Sequence, residues 1–122
     1  MTKDEYWMQV AISLAKTAET MDEVPIGAVI IKNGKIVSTG LNTRETLNKT
    51  FGHAEIEAIH SANNNLNSWR LVDCELYVTI EPCIMCAATL QQSRIKRVIY
   101  GADDIKGGGI ESLYQIGKDD RL

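Results

Sequence analysis

The sequence predicts a layered α/β domain in which helices cover a mixed β-sheet. Two observations predict it. An Asn33-Gly34 pair sits between two β-favouring runs, the strongest short hairpin signal a sequence carries. Beyond it, segments with a helical period alternate with short strand-like runs, the pattern of strands joined through helices. No internal repeat, low-complexity tract or Pro/Gly-rich linker divides the chain, so 1–122 reads as one domain.

Residues 4–20 suit an amphipathic helix. Trp7, Val10, Leu14 and Ala18 recur at spacings of three and four, and Lys3, Glu5, Lys16 and Glu19 are available for the wet side. Gly27-Ala-Val-Ile-Ile31 and Lys35-Ile-Val-Ser-Thr39 form the hairpin around Asn33-Gly34, and 42–52 reads as a polar loop. His53 opens a helix to about Ala62, which the Asn63-Asn64-Asn65 cluster stops. Glu75-Leu-Tyr-Val-Thr-Ile80 reads as a buried strand. Pro82 takes the first helical position of the next helix, Cys83 to about Gln92, where its missing N–H costs little. Arg97-Val-Ile-Tyr100 is a fourth short strand. After Gly101 the chain reads as loop, with at most one short helix near Ser112 to Ile116. The order is α-β-β-α-β-α-β. Trp7 and Trp69 read as core or edge packing, and Cys74, which has no spacing partner, as a buried small hydrophobe.

Composition excludes several classes. At 44% hydrophobic the 122-residue chain is too apolar to be disordered. Its longest apolar run, Ile84 to Ala88, is five residues, far short of the ~20 a membrane helix needs. The start, Met-Thr-Lys-Asp-Glu, is not a secretory signal, which points to the cytoplasm and to no membrane role. Thirteen basic against sixteen acidic side chains give a net charge of −3, the opposite of the basic excess that grips a phosphate backbone. Three cysteines make an odd number, which argues against a disulfide framework.

The chemistry sits in two short motifs, His53-Ala54-Glu55 and Pro82-Cys83-Ile84-Met85-Cys86. Cysteines at i and i+3 in the first turn of a helix share a face and can chelate one ion. The helix N-terminus favours their thiolates. His53, at the start of the other helix, supplies a third ligand. Three protein ligands leave zinc a fourth position for water, the arrangement of a catalytic site. Zinc brings the pKa of a bound water toward ~7. Glu55 beside it can collect a proton and pass it on, as base and then as acid. His-x-Glu followed by Pro-Cys-x-x-Cys is the signature of zinc-dependent nucleobase deaminases.

Other readings use the same residues. A structural zinc could take His53, His60, Cys83 and Cys86 and make Glu55 a bystander. A redox pair of Cys83 and Cys86 would leave His53 and Glu55 without a job. With the structural zinc the protein would be a non-catalytic, zinc-stabilised binding module. His60 reads as a helix-face or core histidine rather than a ligand.

Several stretches go beyond the metal motifs: Glu23-Val-Pro-Ile-Gly-Ala-Val29, Trp69-Arg-Leu71, Leu76-Tyr-Val-Thr-Ile-Glu-Pro-Cys-Ile-Met-Cys86, Ser93-Arg94-Ile95 and Tyr100-Gly-Ala-Asp-Asp104. Through them, from about Glu5 to Leu113, the sequence resembles the bacterial tRNA-specific adenosine deaminases of the cytidine deaminase-like superfamily. The resemblance implies a three-layer α/β/α domain, Zn2+ as cofactor, and hydrolysis of adenosine to inosine at the wobble position of a tRNA anticodon stem-loop. It also implies a homodimer with active sites close to the subunit interface. Carried over, His53, Cys83 and Cys86 match the zinc ligands and Glu55 the proton shuttle. Asn42 matches a nucleoside-contacting asparagine, Pro25 and Ile26 match pocket-wall positions, and Asp104 a position near the target's neighbours. Turn chemistry is an equal reading of Pro25 and Asn42, while Asp104 reads first as a solvated loop acid.

The resemblance breaks in three places. Thr50-Phe51-Gly52 stands where the family has Pro-Thr-Ala, and Gly107-Gly-Gly-Ile110 replaces a turn rich in small residues. The family's usual basic and aromatic C-terminal helix is not in the sequence, whose last 22 residues hold five acidic and three basic side chains. A deaminase of free bases or nucleosides, such as guanine or cytosine, would keep every metal-site residue and need no basic tail. Arg70, Arg94, Lys96, Arg97 and Lys106 would make an RNA footprint only in a fold that gathers them round the pocket mouth.

Overall fold

A computed structural model of the chain describes residues 1–112, and its first helix begins where the sequence can cap it. The Thr2 hydroxyl accepts from Glu5 N–H while the Glu5 carboxylate accepts from Thr2 N–H, a capping box that starts α1 (Lys3–Thr20). Strands β1 (Gly27–Lys32) and β2 (Lys35–Leu41) follow, then α2 (Ala54–Leu66), β3 (Cys74–Val78), α3 (Ile84–Gln92) and β4 (Arg97–Tyr100). The expected element order is the observed one. The short helix expected near Ser112 to Ile116 falls, beyond Ser112, outside the described residues.

The hairpin is closed by Asn33 and Gly34, both at positive φ (53° and 74°). A two-residue turn needs that handedness to match the strand twist. The sheet order is β2-β1-β3-β4. β1 pairs antiparallel with β2 and β3, and β3 pairs parallel with β4, so the sheet is mixed. Side-chain alternation along β1 and β3 then sorts two cores. Val29, Ile31 and Tyr77 face Ala11 of α1, with Trp7 and Ile99 beside them. Ala28, Ile30, Leu76 and Val78 face the other way, onto Ala54, Ala58, Ile59 and Ala62 of α2 and Leu90 of α3. These are the three α/β/α layers the resemblance implies.

Two glycines set how close the helices come. A Cβ at Gly27 would lie 2.2 Å from Ala11 O and 2.5 Å from Ala15 N, on the α1 backbone. At Gly40 it would lie 2.1 Å from Ala54 O and 2.7 Å from Ala58 N, on α2. The fully buried line of α1 is accordingly Ala11, Ala15 and Ala18, with Trp7, Val10 and Leu14 only partly buried at its flanks.

Three expectations are corrected. The helix from His53 does not stop at Asn63. It continues to Leu66, because Asn63 Nδ2 donates to Ser68 O and Asn65 Nδ2 to Val37 O. The residue that ends it is Asn67, in the left-handed region at φ 51°. Pro82 is not the first helical residue: Cys83 is the N-cap, with extended φ −70° and ψ 176°, so Pro82 precedes the cap. Trp69 is not packed in the core or at an edge. It is 57% exposed, with the Arg70 guanidinium 4.4 Å from its ring centroid. Cys74 is fully buried, as expected. Among the described residues no helix is long and apolar enough to cross a membrane.

Candidate metal centre

Both motifs lie at helix starts, and the layer that packs α2 and α3 on one sheet face brings those starts together. His53 is the N-cap of α2 and Cys83 the N-cap of α3, both with extended backbone. Neither can be replaced by an ordinary oxygen cap and keep the donor. Cys86 follows in the first turn of α3 and is buried. The three donor atoms all lie within 4.8 Å of one another. His53 Nδ1 is 3.6 Å from Cys83 Sγ and 3.4 Å from Cys86 Sγ.

Those separations can be tested against zinc. A tetrahedron with Zn–S of ~2.3 Å and Zn–N of ~2.0 Å has an N···S edge of about 3.5 Å. The donors are thus already spaced as zinc requires, with Nδ1 rather than Nε2 as the nitrogen. The sulfur chemistry agrees. A hydrogen bond from the Cys86 thiol, opposed by burial and helped by the Cys86 N–H and by His53, holds Cys83 well below the usual thiol range, toward the thiolate. Its hydrogen bond to Cys83 and burial push Cys86 up. Two adjacent sulfurs, Cys86 buried and Cys83 half-buried, compete for one proton, and a divalent cation is what lets both bind as thiolates. Three protein donors leave zinc open for water, as in catalytic sites.

Glu55, in the first turn of α2, is 3% exposed. Burial pushes its carboxyl up to about 7, against its own backbone N–H; nearby Cys83 pushes the same way, while a side-chain hydrogen bond with Cys86 pulls down. A carboxyl poised there exchanges a proton readily in both directions. His60 lies exposed on α2 and outside the cluster, so the four-ligand structural site is not formed.

The other expected site residues are near by backbone linkage. Asn42 is 6% exposed; its N–H donates to Ile26 O at 3.2 Å, which puts it beside Pro25-Ile26. Its Oδ1 accepts from Arg44 N–H, the turn chemistry considered for it. Thr43 N–H donates to Gly52 O, next to His53. Asp104 caps its own loop: Oδ1 accepts from Lys106 and Gly107 N–H. Phe51 is 53% exposed, with Lys49 Nζ 5.7 Å from its centroid. The basic residues are not gathered into one footprint. Arg97 binds Glu75 at 2.6 Å and Asp4 at 3.0 Å, and Arg94 donates to the carbonyls that end α3.

Two buried carboxylates escape a reading by motif. Glu23 accepts from the N–H groups of Glu45 and Thr46 and from the Thr46 hydroxyl, which fastens the 42–52 loop. Glu81 does the same for the segment after β4. Their partners are mostly backbone groups of distant segments, with one hydroxyl each from Thr46 and Ser112, so no side-chain spacing announces them. A carboxylate directly before Pro-Cys, with a glycine run some 25 residues on, is the one available hint for Glu81.

Comparison with known proteins agrees with the geometry. Residues 1–102 match the family described as the cytidine and deoxycytidylate deaminase zinc-binding region. A tRNA-specific adenosine deaminase of Streptococcus pyogenes serotype M1 is 47% identical over all 122 residues, which span 71% of its length. That of Bacillus subtilis strain 168 is 46% identical over 122 residues, 76% of its length. A solved structure from work on A-to-I editing by tRNA:A34 deaminases superposes with a TM-score of 0.93 at 40% identity, over 98% of this chain and 92% of that one. Guanine deaminase from Bacillus subtilis superposes at 0.80 and 38% identity, over 84% of this chain and 66% of that one. The chain belongs to the zinc-dependent cytidine deaminase-like family, and within it to the branch of the tRNA-specific adenosine deaminases.

Proposed function

We propose that the protein hydrolyses adenosine to inosine at the wobble position of a tRNA anticodon. The observation that carries the reading is the buried Glu55 carboxyl set against three zinc-spaced donors, His53, Cys83 and Cys86. Zinc held by His53, Cys83 and Cys86 would supply Lewis-acid activation of a water. Glu55 would take one proton from the water whose oxygen bonds to C6 of adenine and deliver it to N1. It would then carry the remaining proton of the new C6 hydroxyl to the amino group, which leaves as ammonia while C6=O forms. Adenosine and water become inosine and ammonia, with no bond to the protein.

An adenine in an RNA loop is turned outward at lower cost than a paired one. Asn42, Pro25 and Ile26 are the residues we assign to hold it. Arg44 N–H fixes the Asn42 amide through Oδ1, which leaves the Nδ2 donors for the nucleoside. Asp104 shapes the loop that meets the flanking nucleotides. We assign a cytoplasmic homodimer to the working enzyme. Supporting it, Ile84 beside Cys83 is 43% exposed, and Leu47 and Phe51 on the 42–52 loop are 49% and 53% exposed, apolar surface that a second copy would cover.

The test is ammonia release, with inosine detected directly, on an anticodon stem-loop with A at the wobble position, free adenosine, guanine and cytosine. Turnover of the stem-loop above free adenosine is expected. Faster deamination of guanine at equal concentration overturns the substrate assignment. It would support the second reading, a free-base deaminase, which the likeness to guanine deaminase favours.

A further inference from the structure

Glu81 is 1% exposed, and both its oxygens are ringed by donors. They accept from the N–H groups of Asp104 (3.1 Å), Ile110 (3.1 Å), Glu111 (2.8 Å) and Ser112 (3.0 Å) and from the Ser112 hydroxyl (2.5 Å). The donors come from two stretches, 104 and 110–112, so one carboxylate pins both ends of the 104–110 loop.

The same loop lies on the metal-binding turn. Gly109 N–H donates to Pro82 O at 2.7 Å, and Gly108 bridges to Cys83. A Cβ at Gly108 would lie 2.4 Å from the Glu81 carboxyl carbon, and one at Gly109 would lie 2.8 Å from the Cys83 backbone. At Gly109 backbone leaves no room for a side chain, while at Gly108 even a methyl group would have to displace the Glu81 carboxylate. At the loop's tip Ile105 is 83% exposed, with exposed Lys106 beside it.

We propose that Glu81 is a positioning residue for the RNA substrate: it holds the 104–110 loop as a fixed lip beside Cys83, presenting Ile105 and Lys106 to the nucleotides that flank the target. This rests on the tRNA reading above. Glu81 itself touches neither the substrate nor a metal donor, so its loss acts on binding more than on the chemical step.

The experiment compares wild-type and Glu81→Gln zinc enzymes on the stem-loop, with trypsin cleavage after Lys106 as a second readout. Glutamine keeps the shape but turns an NH2 toward N–H groups. Zinc content should stay at about one per chain. KM should rise about tenfold while kcat stays within about threefold. Cleavage after Lys106 should be faster. Glu81→Asp, which keeps two acceptor oxygens, should recover part of the KM. If Glu81→Gln does not fold, Gly108→Ala tests the same contact and should raise KM. Unchanged KM together with unchanged cleavage overturns the proposal. So does loss of zinc with kcat falling and KM constant, which would make Glu81 a support for Cys83. A wild-type enzyme inert on the stem-loop refutes the tRNA reading instead, and faster cleavage in Glu81→Gln would then still support the loop tether.

Discussion

At the scale of single residues, the centre separates binding from proton transfer. His53, Cys83 and Cys86 bring three donor atoms within 4.8 Å of one another, and Glu55, buried beside Cys86, is the group we assign to proton transfer. Substitutions should split accordingly. Glu55→Gln should retain about one zinc per chain, and lose deamination by ~10²–10⁴-fold, the usual worth of a general acid–base group. Cys83→Ser should lose zinc, and with it much of the stability, since metal binding free energy is folding free energy. Metal analysis beside an activity assay reads both, and a Glu55→Gln enzyme with normal turnover would return Glu55 to a bystander. That His53, Cys83 and Cys86 would meet, with Glu55 in the same turn as His53, was legible in the sequence because metal chemistry dictates residue type and spacing together. Glu23 and Glu81 were not. A carboxylate that binds backbone N–H groups of a distant loop places no constraint on which side chains that loop carries.

At the scale of elements, the helix starts are the working parts, and their placement depends on glycines. Gly40 lets the first turn of α2 rest on β2, one residue from His53. In Gly40→Ala the new Cβ meets backbone, which cannot rotate away, so α2 must shift. The expected cost is ~1–3 kcal/mol, as for overpacking in a core, together with weaker zinc binding because His53 moves with the helix. Gly34 is the control: nothing lies within 4 Å of a Cβ there, and only its φ of 74° resists alanine, worth about 1 kcal/mol. A urea midpoint that falls no more for Gly40→Ala than for Gly34→Ala would deny the close contact. Element type and order were legible from period and turn chemistry. The ends were not, where a distant partner decided them. Asn65 bonds to β2, so the asparagine run extends a helix that local propensity ends. Cys83 is drawn out to extended backbone at the metal turn, so Pro82 lies before the cap. Trp69 finds a cationic neighbour at the surface in place of a core.

At the scale of the whole molecule, charge governs how an RNA is held. The net charge is −3, and Arg97 is bound between Asp4 and Glu75, away from the metal turn's own loops. On the two loops that carboxylates fasten beside the centre, Arg44, Lys49 and Lys106 are the cations placed to meet phosphates. Each phosphate contact releases counterions, so its energy falls with salt. With about three contacts and a slope of ~0.8 per contact, kcat/KM on the stem-loop should fall roughly 30-fold between 50 and 200 mM salt. A free base carries no phosphate, so its deamination should be nearly flat over the same range. The loop side and the far side of the sheet can be told apart by the same slope. Lys106→Ala should lower it by about one contact. Arg97→Ala should leave the slope unchanged while removing the surface ion pairs to Asp4 and Glu75, whose loss costs little stability. Stem-loop turnover that ignores salt would place recognition in the nucleoside pocket alone, around Asn42, Pro25 and Ile26. A slope carried by Arg97 would move the RNA path to the α1 face of the sheet.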